Sequence, residues 1–573
     1  MSEDSYVTLS TGEILPIKVL YERYGRFDKR ATLKDVFVDS MDPSLLNIKD
    51  MKAVYVWKLK SNKLIRVSLR NGFEVSTTPE HPFYTLSELG LLEAIRASDL
   101  TPGVYVAVPS LLKSVGLELD EVKARIIERL SERDYYLIYL LEPFASSIAT
   151  TLSQRGIKAV WRSIGSKLDY ESFRQGVRLG RYRLKDLLCI AQLIGLNKSM
   201  LYDAIDVLLY RSSLKRFGRQ SKRIHLPKTI DEFKAMMYAL GLLYGDGTTR
   251  ASLTNTNLRI LFRFKQALLK AFNVDSRVVS GKTSVRVDHY GGLTLIKFFE
   301  DLFSYHSFKK SKKLVLSDLL TAMRDDLVAE FLKGLFDTDG TVNKRSRSVS
   351  ITSASKELID QLSILLIRFG IVSTKYKKGR YFVLSISGRD LKTFRSRIGF
   401  TLPNKNKLLR RFSRLTASNR VADIVPISPK VLSALRISLG LPRTIRGFPY
   451  YSKYEYGLQR INRVALGKIV KVFSEALNEL SYLSIKASIL ERCCNEVTYS
   501  TLIGECKLDS NRLNGLLASL KSDKLIKIKD GKISVTDTGR EALSIWKHLL
   551  RGSSVQKENI EQILDAWRKL ASG

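Results

Sequence analysis

Nowhere in the 573 residues is there a run of the ~18 apolar residues that a membrane-crossing helix needs, and no apolar signal segment follows Met1. Cysteine is scarce, at four, which fits a reducing intracellular compartment; the expected location is the cytoplasm, on the nucleoid. Cys493, Cys494 and Cys506 cluster in sequence but lack a fourth ligand at zinc-finger spacing, so buried thiols are expected rather than a metal. Acidic residues are in deficit: Lys and Arg number 95 against 57 Asp and Glu, a net charge of +38. That surplus exceeds what solubility asks for and points to a polyanionic partner, nucleic acid before membrane, because no basic amphipathic helix stands alone. At ~150 residues per domain the length implies about three to five units.

What the chain does have is a repeat. Ala239-Leu240-Gly241-Leu242-Leu243-Tyr244-Gly245-Asp246-Gly247 and Leu332-Lys333-Gly334-Leu335-Phe336-Asp337-Thr338-Asp339-Gly340 are near-copies, with Asp246 and Asp339 in the same place 93 residues apart. Each is an apolar helical run interrupted by Gly and closed by Asp-Gly. Gly inside the run lets two helices pack backbone to backbone, and the closing Gly is expected to take φ > 0 and end the helix. Two such helices side by side bring two carboxylates together, where mutual repulsion raises a pKa unless a hard divalent cation neutralises them. The plain alternative is a pair of turns after two buried helices.

These segments resemble the paired motifs of LAGLIDADG homing endonucleases. The resemblance implies a pseudo-symmetric αββαββα domain over 228–425, acting as a monomer on its internal dyad. It implies Mg²⁺ (or Mn²⁺) at Asp246 and Asp339, with Gly245 and Thr338 beside them at the metal site, and cleavage of duplex DNA. The first copy departs from the family pattern in carrying Tyr244 where an acid often stands. Alternating runs at Arg277–Ser280, Ser284–Asp288, Ser348–Thr352 and Tyr381–Ile386 match strands of the family's major-groove saddle. Lys375, Lys377, Lys378 and Arg380 lie in a hairpin able to reach phosphates. The family's usual lysine has four candidates, Lys265, Lys282, Lys375 and Lys407. Ser387-Gly388-Arg389-Asp390 through Phe394, Ile398-Gly399-Phe400, Lys405 to Lys407, and Asp423-Ile424-Val425-Pro426 resemble the terminal block of intein-type endonucleases.

Residues 1–110 read as a β-domain with strands at Tyr6–Leu9, Val54–Leu59, Leu64–Leu69, Phe73–Thr77 and Val104–Val108, bounded by turns such as Asn71-Gly72. Thr78-Pro79-Glu80-His81 puts a hydroxyl and an imidazole three residues apart on one turn. That order is similar to part of the Hint fold of inteins, where Thr-x-x-His activates a peptide bond. No Cys opens the chain and no His-Asn pair closes it, so Thr78 and His81 are expected to be vestigial. Residues 111–227 read as helical and basic. Leu184–Leu196 followed by Asn197-Lys198-Ser199 fits a helix-turn-helix, with Arg178, Arg181 and Arg183 as DNA contacts. Residues 426–480 read as a helical extension. Over 481–573, two helices, a hairpin at Leu525–Val535 and a further helix read as a winged helix.

The expected fold is therefore α+β and multidomain: a partial Hint-like β-domain, an HTH-like helical domain, the LAGLIDADG-type domain and a C-terminal winged helix. The expected activity is Mg²⁺-dependent hydrolysis of duplex DNA by an intein-derived protein that does not splice. The alternatives are a non-cleaving DNA-binding regulator or architectural protein, and a binder of structured RNA like the family's maturases.

Overall fold

The computed structural model describes residues 1–24, 29–113, 116–211, 222–281, 284–305, 310–415, 423–445, 448–506, 508–550 and 554–572. Among them no helix is long and apolar enough to cross a membrane. The chain forms two compact units, one of residues 1–40, 48–77 and 109–418, the other of 41–47, 78–108 and 419–573. The N-terminal, helical and LAGLIDADG-like segments expected as separate domains thus share most of one unit.

In the first unit, the N-terminal β region is a set of two-stranded pieces rather than one sheet. A long ribbon pairs β1 (Arg30–Asp42) with β2 (Asn47–Trp57), and β3 (Ile65–Ser68) pairs with β4 (Glu74–Thr77). The residues before the ribbon are tied to later parts of the unit. Ile14 donates its N–H to Thr321 Oγ1 at 3.0 Å. Gly12, at φ 87°, passes so close to Arg368 that an added Cβ would lie 2.7 Å from Nη1. Arg368 itself is buried and donates to Thr321 O, Met323 O and Asp325, so its charge is matched where it sits.

The basic segment that reads as helical also contains a sheet. Here β5 (Tyr136–Leu140) is the centre strand between β6 (Arg181–Arg183) and β7 (Ile205–Tyr210), all antiparallel. The short runs Tyr-Leu-Ile-Tyr-Leu and Ile-Asp-Val-Leu-Leu-Tyr are nearly all apolar, a pattern that periodicity alone does not assign to strand or helix. The helix pair is present: α1 (Leu184–Ile194) ends on Gly195 at φ 72°, and Asn197 caps α2 (Lys198–Ala204) by accepting from Ser199 N at 2.7 Å.

Two similar halves follow. The first runs α3 (Ile230–Asp246), β8 (Leu253–Asn255), α4 (Leu258–Phe272), β9 (Ser276–Ser280), β10 (Val285–His289), α5 (Gly292–Phe303). The second runs α6 (Asp325–Thr338), β11 (Thr341–Asn343), β12 (Ser348–Ser353), α7 (Lys356–Arg368), β13 (Thr374–Lys378), β14 (Tyr381–Ser387), α8 (Asp390–Arg397), and then α9 (Pro403–Leu415). Sheet orders are β8-β10-β9 and β11-β12-β14-β13. Among the described residues the first half is one strand short of its counterpart, since Gly247 makes only a single bridge to Leu253. Each sheet buries one face: Val349, Ile351, Leu384 and Ile386 of β12 and β14 are inside, with Val349 opposite Ile386 and Ile351 opposite Leu384.

The second unit holds the hairpin Pro82–Leu86 with Leu92–Arg96 and the helices from Pro429 onward. No strand forms at Val104–Val108. Thr85 Oγ1 instead donates to Tyr105 O at 2.7 Å, which satisfies by a side chain the kind of acceptor a ladder uses. From residue 481 to 550 the order is helix, strand, helix, helix, two strands, helix, a last helix follows at Ser554–Ser572, and the three strands make one antiparallel sheet. The buried Arg436 donates to both Glu455 and Asp523 (2.7 Å from Nη2 to Asp523 Oδ1), which raises its already high pKa. Cys493 is buried, which pushes its thiol up to about 12 and keeps it protonated.

Candidate active site

The site is built at the C-terminal ends of α3 and α6. Thr229 and Glu232 close a capping box at the start of α3, and from Met236 to Tyr244 every residue is buried. A helix apolar all round belongs in a core. Contact between the two helices is backbone to backbone. A Cβ added at Gly241 would lie 2.1 Å from Phe331 O, and one at Gly334 would lie 2.4 Å from Tyr238 O. The next helical turn brings the ends together, because a Cβ on Gly245 would sit 2.0 Å from Thr338 Oγ1 and 3.3 Å from Asp339 Cγ.

The closing glycines serve another purpose than the sequence suggests. Gly247 has φ −71°, in the extended region, and α6 ends on Asp339 at φ −81°. What both positions require is room: a Cβ would meet Leu243 O at 2.4 Å from Gly247, and Phe336 O at 2.3 Å from Gly340.

Asp246 and Asp339 are both half-buried at this junction. Asn255 on β8 donates its amide to Asp246 Oδ2 at 2.6 Å, which fixes the carboxylate and engages one of its oxygens. The hydroxyl of Thr338 donates within its own helix, to Gly334 O and Leu335 O. Gly245 contributes clearance at the helix contact. Tyr244 and its counterpart 93 residues on, Asp337, are both buried anchors. The Tyr244 hydroxyl reaches Phe303 O at 2.5 Å, and Asp337 accepts from Tyr238 OH at 2.9 Å and Thr401 N at 3.0 Å. An acid at that position is therefore a structural group in one half, and Tyr244 removes nothing from the site in the other.

Sequence reasoning missed a cation that the charges of both carboxylates act on. Lys405 on α9 donates to Asp337 O at 2.7 Å and Phe336 O at 3.1 Å, capping the end of α6. Burial lowers its pKa, and the charges of Asp337, Asp339 and Asp246 oppose that shift. It therefore feels both site carboxylates at once. Of the four lysines singled out in sequence, Lys265 is occupied with Ser276 O and Asp275, Lys375 is largely enclosed, Lys407 is exposed, and Lys282 lies outside the described residues.

Among the described residues no group of three or more His, Cys, Asp or Glu could by itself hold a metal. Two carboxylates suit Mg²⁺ or Mn²⁺ rather than Zn²⁺, because a hard octahedral ion keeps waters and takes the rest of its shell from substrate phosphate.

The basic residues divide. Lys377, Lys378 and Arg380 are exposed around Gly379, at φ 58°, in the turn between β13 and β14. Lys375 is not a free cation: it pairs with Asp360 and lies 4.5 Å above the Phe73 ring. Arg178 is exposed and Arg181 half-buried in β6. Arg183 is buried, 2.9 Å from Asp134 and 4.0 Å from Asp186, so it ties β6 into the core instead of facing solvent. The helices α8 and α9 also expose Lys392, Arg395, Arg397, Arg410, Arg411 and Arg414. Thr78 and His81 belong to the second unit. His81 N–H donates to Thr78 O at 3.2 Å, its ring meets the edge of Phe83, and burial lowers its pKa.

Residues 326–399, from α6 through α8, match the family model of a LAGLIDADG-like domain. This part of the chain is such a domain. Among curated proteins the chain is 33% identical over 502 residues to elongation factor 2 of Methanopyrus kandleri, and 23% identical over 443 residues to the glutamine–fructose-6-phosphate aminotransferase of Methanocaldococcus jannaschii. The matches take in 84% and 74% of this chain, which spans only 38% of the length of either relative. Among solved structures, the homing endonuclease I-DmoI in complex with DNA and Ca is similar at 20% identity and a TM-score of 0.25, covering 31% of this chain and 98% of that one.

Proposed function

We propose that the chain is a LAGLIDADG-type homing endonuclease of intein origin that hydrolyses duplex DNA as a monomer with Mg²⁺ or Mn²⁺. The observation that carries this reading is the meeting of Asp246 and Asp339 at the ends of two helices in backbone contact, with Lys405 electrostatically linked to both. When bound there with substrate phosphate, the divalent ion supplies Lewis-acid stabilisation and an activated water. Asn255 holds Asp246 in orientation, and Lys405 places a positive charge beside the group that gains negative charge. Lys377, Lys378 and Arg380 bind backbone phosphates.

The intein origin is supported by the two relatives. An elongation factor and an aminotransferase have no activity in common, yet each matches this chain over about two fifths of its length. A segment shared by proteins of unrelated function is what an inserted element leaves. Thr78 and His81 are then vestiges of the Hint fold.

Incubation with Mg²⁺ and a plasmid library of host genomic fragments tests the activity. The expected result is linearisation of one or a few plasmids, whereas a fully intact library overturns the reading. Lys405→Met is expected to slow cleavage by about 10²-fold, the usual effect of removing one electrostatic stabiliser, with duplex affinity little changed.

A DNA-binding regulator is the second reading, favoured by the element order of 481–550. That order is compatible with the winged helix we propose there, and its second and third helices lead to a hairpin that exposes Lys527, Lys529 and Lys532. Genome-wide mapping of bound sites separates the two, because homing needs a single site and regulation many. Structured RNA competing better than duplex DNA at fixed salt would point to a maturase-like role instead.

A further inference from the structure

The open end of the β1–β2 ribbon carries a feature the nuclease reading leaves unused. Along β2, Val56 points into the small core formed with Leu9, Leu15, Leu33 and Val36. Strand alternation therefore turns Tyr55 and Trp57 to the other face. They are 45% and 56% exposed, and Trp57 is the most exposed tryptophan of the described chain. The two rings meet edge-on, 6.2 Å apart. Arg30, across the ribbon on β1, lies 4.5 Å above the Tyr55 ring and 5.5 Å above that of Trp57. Lys58 N–H donates to Lys29 O at 2.8 Å and continues the pairing beyond the aromatic residues.

The sequence around this platform is predominantly basic. Residues 29–34 and 51–66 contain eight basic and no acidic side chains. The nearby Asp35 is paired with Lys52 at 3.5 Å. An exposed aromatic pair is costly to leave in water, and here it is held in place by a guanidinium that stays solvated. Rings ordered in advance lose little freedom when something stacks on them. Duplex bases have no free faces, whereas each base of a single strand has two, and its phosphates match the surrounding lysines.

We propose that this end of the ribbon binds single-stranded nucleic acid, stacking an unpaired base on Trp57 while Arg30, Lys29 and Lys58 engage the flanking phosphates. None of these residues belongs to the site at Asp246 and Asp339, and the binding does not depend on cleavage. DNA and RNA single strands share the recognising chemistry.

The test is a fluorescence titration of the full chain with oligo(dT), oligo(U) and a duplex of equal length. Trp546 and Trp567 are buried and Trp161 partly so, which makes Trp57 the main reporter of stacking. Quenching by one or both single strands, absent from the duplex arm, is expected, and the arm that quenches identifies DNA or RNA. Trp57→Phe should keep affinity but lose the signal. Trp57→Ala should weaken single-strand binding by about 5- to 150-fold, the range for one lost base stack, and Arg30→Gln should weaken it in the same direction. Quenching that survives Trp57→Phe, equal quenching by duplex, or Trp57→Ala affinity within about twofold of the parent each overturns the proposal. All three variants lie on an exposed ribbon face, so their folding is checked by an unchanged melting profile.

Discussion

Asp246→Asn and Asp339→Asn are each expected to reduce double-strand cleavage by at least about a thousandfold, equivalent to ~4 kcal/mol of lost transition-state stabilisation. Duplex affinity should stay within about threefold. The two effects separate for a physical reason. Binding to duplex is dominated by cations on phosphates; on the proposed function these are Lys377, Lys378, Arg380 and the exposed arginines of α8 and α9, none of which changes. Cleavage needs a hard cation, and an amide oxygen is a poor substitute for a carboxylate as its ligand. The substitution keeps shape, and removing one of two like charges relieves repulsion, so the melting temperature should not fall. Asp246→Asn carries one further consequence: the Asn255 amide at 2.6 Å then faces a neutral partner, and the new side chain can turn. Cleavage rates on supercoiled and pre-nicked substrate, with binding by gel shift in Ca²⁺, decide the matter. A variant that cuts normally sinks the site, and one that loses binding and cleavage equally makes its Asp a structural group.

How much of this was legible in the sequence depends on the range of the interaction. The paired helices were, because a buried helix in backbone contact imposes Gly and apolar residues within one short window, and the window occurs twice. The elements from 499 to 550 were also readable, since each carries its own local period: Leu513, Leu516, Leu517 and Leu520 line one face of the helix Ser510–Ser522. Lys375 was misread for the opposite reason. Its fate is set by Asp360 on α7 and by the Phe73 ring, some 300 residues away in sequence, and nothing near Lys375 announces either. Arg183 sits in a run of cations and looks like its neighbours; only the fold brings Asp134 to it. Lys405 was hidden similarly, as one of many lysines until α9 places it over the end of α6. The first-half strand shortage and the sheet within 111–227 escaped because short apolar runs do not declare their period.

Gly241→Ala should lower the melting temperature of the first unit by roughly 10 °C, through a loss of more than ~3 kcal/mol. Helix propensity pulls the other way, since Ala is favoured over Gly inside a helix by ~1 kcal/mol. Gly515→Ala isolates that gain: it lies in a helix interior, has nothing within 4 Å of its Cβ, and should be slightly stabilising. At Gly241 the added methyl meets Phe331 O at 2.1 Å and Leu335 N at 2.9 Å, and both atoms are backbone. No rotamer change relieves such a contact, so α3 and α6 must move apart until carbon and oxygen reach ordinary separation. That movement opens the contact along its whole length, because the same two helices touch again at Gly334 and Gly245. Asp246 and Asp339 separate with it. Activity should consequently fall at temperatures well below the melting transition, while Gly515→Ala leaves it unchanged. A Gly241→Ala protein that melts within about 2 °C of the parent would show that the two helices tolerate separation, and that their close contact does not set the spacing of the carboxylates.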